Sequence, residues 1–361
     1  MRLLRSTAGK HKGYVLGFLK NLLSPKIGID LGTANTVIVT ADKGIILDQP
    51  SVISFHTKAG KRTFLSVGNA AKLMMGKTPQ SITASEPLVD GVIANFEDAE
   101  QMIAAFFKQA VPRTKYIKPY VVVCVPFGAT PVEKRAIQQA IKVSGARTVG
   151  LLSEPMAAAL GAGLPVLKPQ GSMVVDIGGG TTEIAVLSLG AVVTAKSIKV
   201  GGNLFNATIQ QFVKKPYDLH IGLLTAERLK IEFACALRQP EQQTDSTYLV
   251  KGLHSITGLP SSSKVSKRLI SQCIQQLIDI IETEIRSVLE TAPPDLASDI
   301  FDNGIMITGG GSLLKDLDRE LTSRLHLNVT IAEAPKYSVA NGAGIAVRMG
   351  KKLAYAIEYN I

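Results

Sequence analysis

Apolar positions along this chain change period several times, and each change predicts an element. In residues 13–23, GYVLGFLKNLL, the apolar positions Val15, Phe18, Leu19, Leu22 and Leu23 recur at helical spacing, with Lys20 and Asn21 turned away. From Lys26 the pattern becomes strand-like: KIGIDLG and TVIVTA flank a small-residue turn. PYVVVCV over 119–125 predicts a buried strand, Pro131 to Val143 a helix, VGLL up to Ser153 a strand, and EPMAAALGAGL a helix favoured by its alanines. The second half opens as the first does, since GSMVVDIGGGTTEIAVLSLG repeats strand, aspartate, glycine-rich turn, strand. Residues 206–290 are predicted mostly helical, broken by QPEQQTDST and by a loop at LPSSSK; GIMITGGGSLLKDLDREL then predicts strand, glycine turn, helix. Strands alternating with helices define an α/β protein. The recurrence of Asp30 at Asp176, 146 positions later, predicts two similar domains, each offering a hairpin turn to a shared cleft.

Composition narrows the function. The 361 residues are 46% hydrophobic and 19% charged, enough apolar material for two domains around a cleft. Three scattered cysteines exclude a disulfide framework and fit a reducing cytoplasm, and the five histidines show no ligand spacing. The net charge of +11 is unevenly placed: Arg2, Arg5, Lys10, Lys12, Lys20 and Lys26 all precede the first acid, Asp30. Without zinc-finger spacing or tryptophan, this basic tail predicts a membrane surface as partner and no nucleic acid. The apolar run is too short to span a bilayer and no small-residue cleavage site follows, so an amphipathic helix in the headgroup region is expected. A terminal helix docked on the protein's own core would carry the same pattern.

Three glycine-rich turns follow strands: Gly32-Thr33-Ala34-Asn35, Gly178-Gly179-Gly180-Thr181 and Gly309-Gly310-Gly311-Ser312. Without a β-carbon the backbone amides approach an anion closely, and in the third turn the following helix adds its positive end. Asp30 and Asp176, just ahead of two of these turns, are placed to hold a hydrated magnesium ion from opposite sides of the cleft. No GxxxxGK[ST] is present, and GIDLGTAN lacks the Rossmann spacing; both turns are expected to join antiparallel strands.

IGIDLGTANTVI, VCVPFGATPVEKRAI, SEPMAAALGAGLPV, VVDIGGGTTEIAVLSLG, TAERLKIE, PPDLASDI and ITGGGSLLKDLD resemble the MreB-like branch of the actin, sugar-kinase and heat-shock chaperone superfamily, from about residue 27 to 350. The resemblance implies an actin-like (ribonuclease H-like) pair of duplicated domains around an ATP–magnesium cleft, each with a smaller subdomain. The boundaries expected are a membrane-binding tail over 1–25, domain I over 26–168, domain II over 169–350 with its small subdomain near 206–270, and a tail over 351–361. It further implies that Gly32, Thr33, Ala34 and Asn35 and Gly178, Gly179, Gly180 and Thr181 cradle the phosphates. Glu227, Arg228, Leu229 and Lys230 would reach the adenosine, Glu227 and Lys230 sharing one helical face, and Gly309, Gly310, Gly311, Ser312 and Leu313 would line the adenine side. Glu154 would act on the attacking water, assisted by Thr182.

Two departures stand out: Asn203 and Asn206 replace aspartates of the family's GGDxFD, and Ala234-Cys235 replaces a glycine-containing step. Nucleotide binding is expected to survive them, with hydrolysis or exchange altered. Tyr116 and Ile117, between Lys115 and Lys118, resemble the family's membrane-entering loop. The implied function is a membrane-associated, self-assembling filament on the inner face of the cytoplasmic membrane. It would work with membrane-bound cell-shape and cell-wall synthesis proteins. The alternative on the same fold is a sugar-kinase-type enzyme, which requires an aspartate base beside a sugar pocket; no such motif is found.

Overall fold

The computed structural model describes residues 24–111, 118–238, 246–353 and 355–359. The amphipathic run at 13–23 and the Tyr116–Ile117 pair therefore lie outside the described residues.

Two sheets of like topology organise the chain. In the first, strands Lys26–Leu31, Asn35–Thr40 and Gly44–Pro50 form an antiparallel meander, and Tyr120–Val125 and Thr148–Ser153 extend it in parallel on the other side of Lys26–Leu31. In the second, Ser172–Ile177, Thr182–Ser188 and Ala191–Ile198 form the meander, extended in parallel by Ile305–Thr308 and Val329–Ile331. The duplication expected from the two aspartates is thus present in sheet order and strand direction. Each half also carries a three-stranded sheet, Ile53–Lys58 with Lys61–Val67 and Ile82–Ser85, and Leu219–His220 with Thr247–His254 and Pro260–Ser266.

Alternation explains how the sheets are covered on both faces. Val121, Val123 and Val125 point into one core, whereas Val122 and Cys124 point into another shared with Val174, Ala185 and Leu187 of the second sheet. That shared core contains helices Glu154–Gly161 and Ser338–Met349, wedged between the sheets. Their crossing is closer than side chains allow: a β-carbon on Gly161 would collide with the Ser338 carbonyl, and one on Gly342 with the Ala157 carbonyl. Helix Pro131–Val143 starts where local chemistry dictates, with Pro131 in its first turn. Its capping box has Glu133 accepting from the Thr130 amide at 2.7 Å and Thr130 Oγ accepting from the Glu133 amide at 3.3 Å.

Two expectations differ from the structure. LPSSSK is not a loop: Pro260–Ser266 is a strand paired along its length with Thr247–His254, with Ser261 and Ser263 half-buried on the face of buried Val265 and Ser262 exposed on the other. Residues 338–349 pack on the first half rather than the second, and Ile357–Tyr359 adds a strand to the first sheet's edge. The chain thus crosses between the halves twice, around residues 162–171 and again at 332–337.

Candidate functional site

Strand register sets the geometry of the cleft. Asp30 pairs with Val37 and Leu31 with Thr36; Asp176 pairs with Glu183 and Ile177 with Thr182. Each hairpin therefore leaves four residues in its turn, 32–35 and 178–181, with an aspartate two positions before the first glycine. The turns meet across the cleft: a β-carbon on Gly179 would sit 2.6 Å from Ala34 Cβ, and one on Gly180 2.8 Å from Thr33 Oγ1. Thr33 Oγ1 accepts from the Gly91 amide at 2.8 Å. Helix Gly202–Lys214 braces the second turn, the Gly202 and Asn203 amides donating to the Gly178 and Gly179 carbonyls at 2.9 and 2.8 Å.

These elements enclose a cavity of about 470 Å³. Of the residues singled out from sequence, Asp30, Gly32 to Asn35, Glu154, Asp176, Gly178 to Thr181, Glu227, Lys230, Gly309 to Gly311 and Leu313 line it. Four others stand elsewhere. Thr182 is fully buried with its hydroxyl donating to the Val200 carbonyl at 2.6 Å. Ser312 is buried and donates to the Gly309 carbonyl at 2.7 Å. Leu229 belongs to the core of the second half, and Arg228 is exposed. The third glycine turn also differs from expectation: Gly310–Leu313 is a short 3-10 turn, and the α-helix begins only at Leu317, so no helix end points from it into the cavity.

Acidic groups crowd the cleft floor. Burial, then the charges of Asp176 and Asp48, pushes Asp30 up to about 8. Burial takes Asp176 to about 6 despite the hydrogen bond it accepts from Thr308 Oγ1 at 2.7 Å. Glu154, first residue of its helix, is held well above the usual carboxylate range by burial and then by Glu183, Asp30 and Asp176. Such a cluster calls for positive charge. Among the described residues no group of three or more side chains forms a closed metal cage. The floor suits a cation that takes a few carboxylates and leaves its other positions to water and phosphate oxygen.

Cations stand around the rim. Lys230 donates to the Gly202 carbonyl at 2.9 Å, and burial lowers its proton affinity to about 8. Glu227, on the same helix face, pairs with Lys72 of the opposite small subdomain at 3.2 Å. Asn206 lines the cavity with its Oδ1 buried and without a hydrogen-bond partner, an arrangement costing about 1–3 kcal/mol until a donor arrives. Ala234-Cys235 ends the helix carrying Glu227 and Lys230, and the Ala236 amide then donates to the carbonyl of Lys315 on the cavity wall at 2.8 Å.

Sequence reasoning missed Glu183 and Lys336. Glu183 is 1% exposed and spans the halves: it accepts from Ser197 Oγ at 2.6 Å on its own sheet and from the Phe127 amide at 3.3 Å in the first half. Burial lifts it to about 7 even so. A charge inside the otherwise buried strand TEIAVLS was the available signal. Lys336 lines the cavity from the second chain crossing, where no motif marks it.

Comparison with known proteins places this geometry. A family profile described as "MreB/Mbl protein" matches residues 24–355. The cell shape-determining protein Mbl of Bacillus subtilis is 42% identical over 327 residues, 91% of this chain and 97% of that protein. The cell shape-determining protein MreB of Escherichia coli K12 is 43% identical over 334 residues, 91% and 95% of the two chains. The crystal structure of MreB 5 of Spiroplasma citri bound to AMPPNP superposes with a TM-score of 0.84 at 32% identity, covering 92% of this chain and 98% of that one.

Proposed function

Because the chain belongs to the MreB/Mbl family, an actin-like family of cytoskeletal cell-shape proteins, we propose that it binds ATP and magnesium in its cleft and polymerises into membrane-associated filaments. Those filaments direct cell-wall synthesis from the inner face of the cytoplasmic membrane. The observation that carries this reading is the meeting of the two glycine turns over two buried aspartates, in a fold shared with an AMPPNP-bound relative.

Each group has a task in this reading. The amides of Thr33 to Asn35 and of Gly179 to Thr181 receive phosphate oxygens from the two halves, the Gly178 amide being held by the Thr181 carbonyl at 2.8 Å, so the nucleotide is gripped only when the cleft is closed. Asp30 and Asp176 hold magnesium through its waters; when bound, the ion neutralises charge on the phosphates. Glu227 and Lys230 take the ribose side. Glu154, whose carboxyl lines the cavity at the start of its helix, is placed to accept the proton of an in-line water. Thr182, committed to Val200, shapes the turn rather than meeting that water.

Among the described residues no helix is long and apolar enough to cross a membrane. Membrane contact is assigned to the basic tail over 1–25 and to Tyr116 and Ile117. One tail binds weakly, at about 1 kcal/mol per basic residue near anionic lipid, but a filament multiplies it through effective concentration. Removing residues 1–25 is expected to abolish pelleting with anionic vesicles and to spare ATP binding. The reading itself is tested by light scattering and negative-stain microscopy with ATP: ordered filaments are expected, and their absence across salt conditions, with and without lipid, refutes it.

A further inference from the structure

Asp48 lies on strand Gly44–Pro50, outside every glycine turn, yet its carboxylate collects three donors from two distant parts of the chain. Asn35 Nδ2 donates to Oδ1 at 2.8 Å. Lys336 Nζ donates to Oδ2 at 2.7 Å and the Tyr337 hydroxyl to the same oxygen at 3.0 Å. Asn35 ends the first glycine turn. Lys336 and Tyr337 belong to the second crossing between the halves, and Pro335 and Lys336 form part of the cavity wall. The crossing is fastened to the second half as well, since the Gly309 amide donates to the Pro335 carbonyl at 2.9 Å.

A lone ion pair this exposed, with Asp48 at 23% and Lys336 at 41%, contributes little. Three donors on both carboxylate oxygens make a network whose members orient one another. Burial works against the charge on Asp48, but the bonds from Lys336, Asn35 and Tyr337 outweigh it and hold the carboxyl below its usual range.

We propose that Asp48 is a positioning residue for nucleotide binding, tying the first phosphate turn to the hinge segment so that Asn35 and the Lys336 wall move as one body when the cleft closes. The proposal rests on the cleft being a nucleotide site. It assigns Asp48 no contact with the nucleotide: its effect passes through Asn35 and Lys336. Without Asp48 the turn and the wall sample their positions independently, and a ligand that needs both at once meets the competent arrangement less often.

The test is a double-mutant cycle on affinity for a fluorescent ATP analogue with magnesium, using the full chain. Asp48→Asn and Lys336→Met are each expected to weaken binding about tenfold, and the double variant by no more than about twofold beyond the weaker single. A strut of purely structural role would lower the unfolding midpoint of the nucleotide-free protein and leave affinity alone. Parent-like affinity in Asp48→Asn, or two effects that simply multiply, overturns the proposal. Should Asp48→Asn fail to fold, Lys336→Met combined with Tyr337→Phe removes both bonds from the crossing to Asp48, leaving only the one from Asn35, and is expected to reproduce the loss; parent-like affinity there also overturns it. A parent chain that binds no ATP analogue overturns the nucleotide reading itself, whereas a binding parent with an indifferent Asp48 overturns only the positioning role.

Discussion

Replacing Gly179 by alanine isolates the contact between the two phosphate turns. The backbone there is not in the left-handed region, so alanine meets no conformational penalty and its effect is purely steric. The new β-carbon would lie 2.6 Å from Ala34 Cβ and 3.1 Å from the Ala34 amide nitrogen. Carbon atoms pack at about 3.5–4.0 Å, so the turns must separate by about 1 Å. Ala34 belongs to the opposite half, and slight opening of the cleft relieves the clash. The overpacking cost of about 1–3 kcal/mol therefore falls on the closed, nucleotide-holding state, which converts to a loss of about 5- to 150-fold in affinity. Ala34→Gly added to Gly179→Ala is the internal control, because it removes the carbon that the new β-carbon meets at 2.6 Å. Titration of a fluorescent ATP analogue, with thermal unfolding of the nucleotide-free proteins alongside, reads the outcome. Gly179→Ala should lose affinity while keeping its unfolding temperature, and the added Ala34→Gly should restore most of the affinity. Equal affinity in Gly179→Ala and the parent, or a loss that Ala34→Gly does not relieve, would refute the turn-to-turn contact as the closure gauge.

Other outcomes follow from the same geometry. Glu154→Gln keeps the shape of the floor but removes the proton acceptor, so phosphate release should fall about 100-fold or more with ATP affinity nearly unchanged; parent-like release would take Glu154 out of the chemistry. Asp30 and Asp176 carry folded-state values of about 8 and 6 against an ordinary 3.8, so the folded chain holds protons that the unfolded chain releases. Their contribution to stability is full below about pH 4 and is lost as pH rises through those folded values. Between pH 6 and 8.5 the metal-free protein should therefore lose melting temperature, and magnesium with ATP should shrink the loss; calorimetric scans at both pH values decide it. Gly342→Ala puts a methyl group into the Ala157 carbonyl at the crossing of the two central helices and should cost about 3 kcal/mol or more, measured as a lowered urea midpoint.

Legibility in the sequence followed the reach of the forces involved. The strand–aspartate–glycine units are local: alternation and turn chemistry place Asp30 and Asp176 without any long-range contact, and the capping chemistry at Thr130 and Pro131 does the same for one helix. LPSSSK was misjudged because a strand on a thin subdomain buries only Val265, leaving serines where apolar alternation would be sought. The return of Ser338–Met349 to the first half was invisible because its determinant is a pair of glycines 181 positions apart, Gly161 and Gly342, that matter only once they touch. Thr182 and Ser312 sit inside true motifs, but their hydroxyls are spent on the backbone, which spacing cannot reveal. Asp48 and Lys336 carry no motif at all and are joined only by the folded hinge.

The central claim, that a nucleotide gripped between the halves drives assembly, is tested most directly by sedimenting the full chain over a concentration series with ATP and magnesium and counting nucleotide in the pellet. The account predicts a threshold concentration above which polymer pellets with one nucleotide per protomer, and little pellet when nucleotide is withheld. Polymer that forms equally well and carries no nucleotide, or ATP binding that never yields polymer, would contradict it.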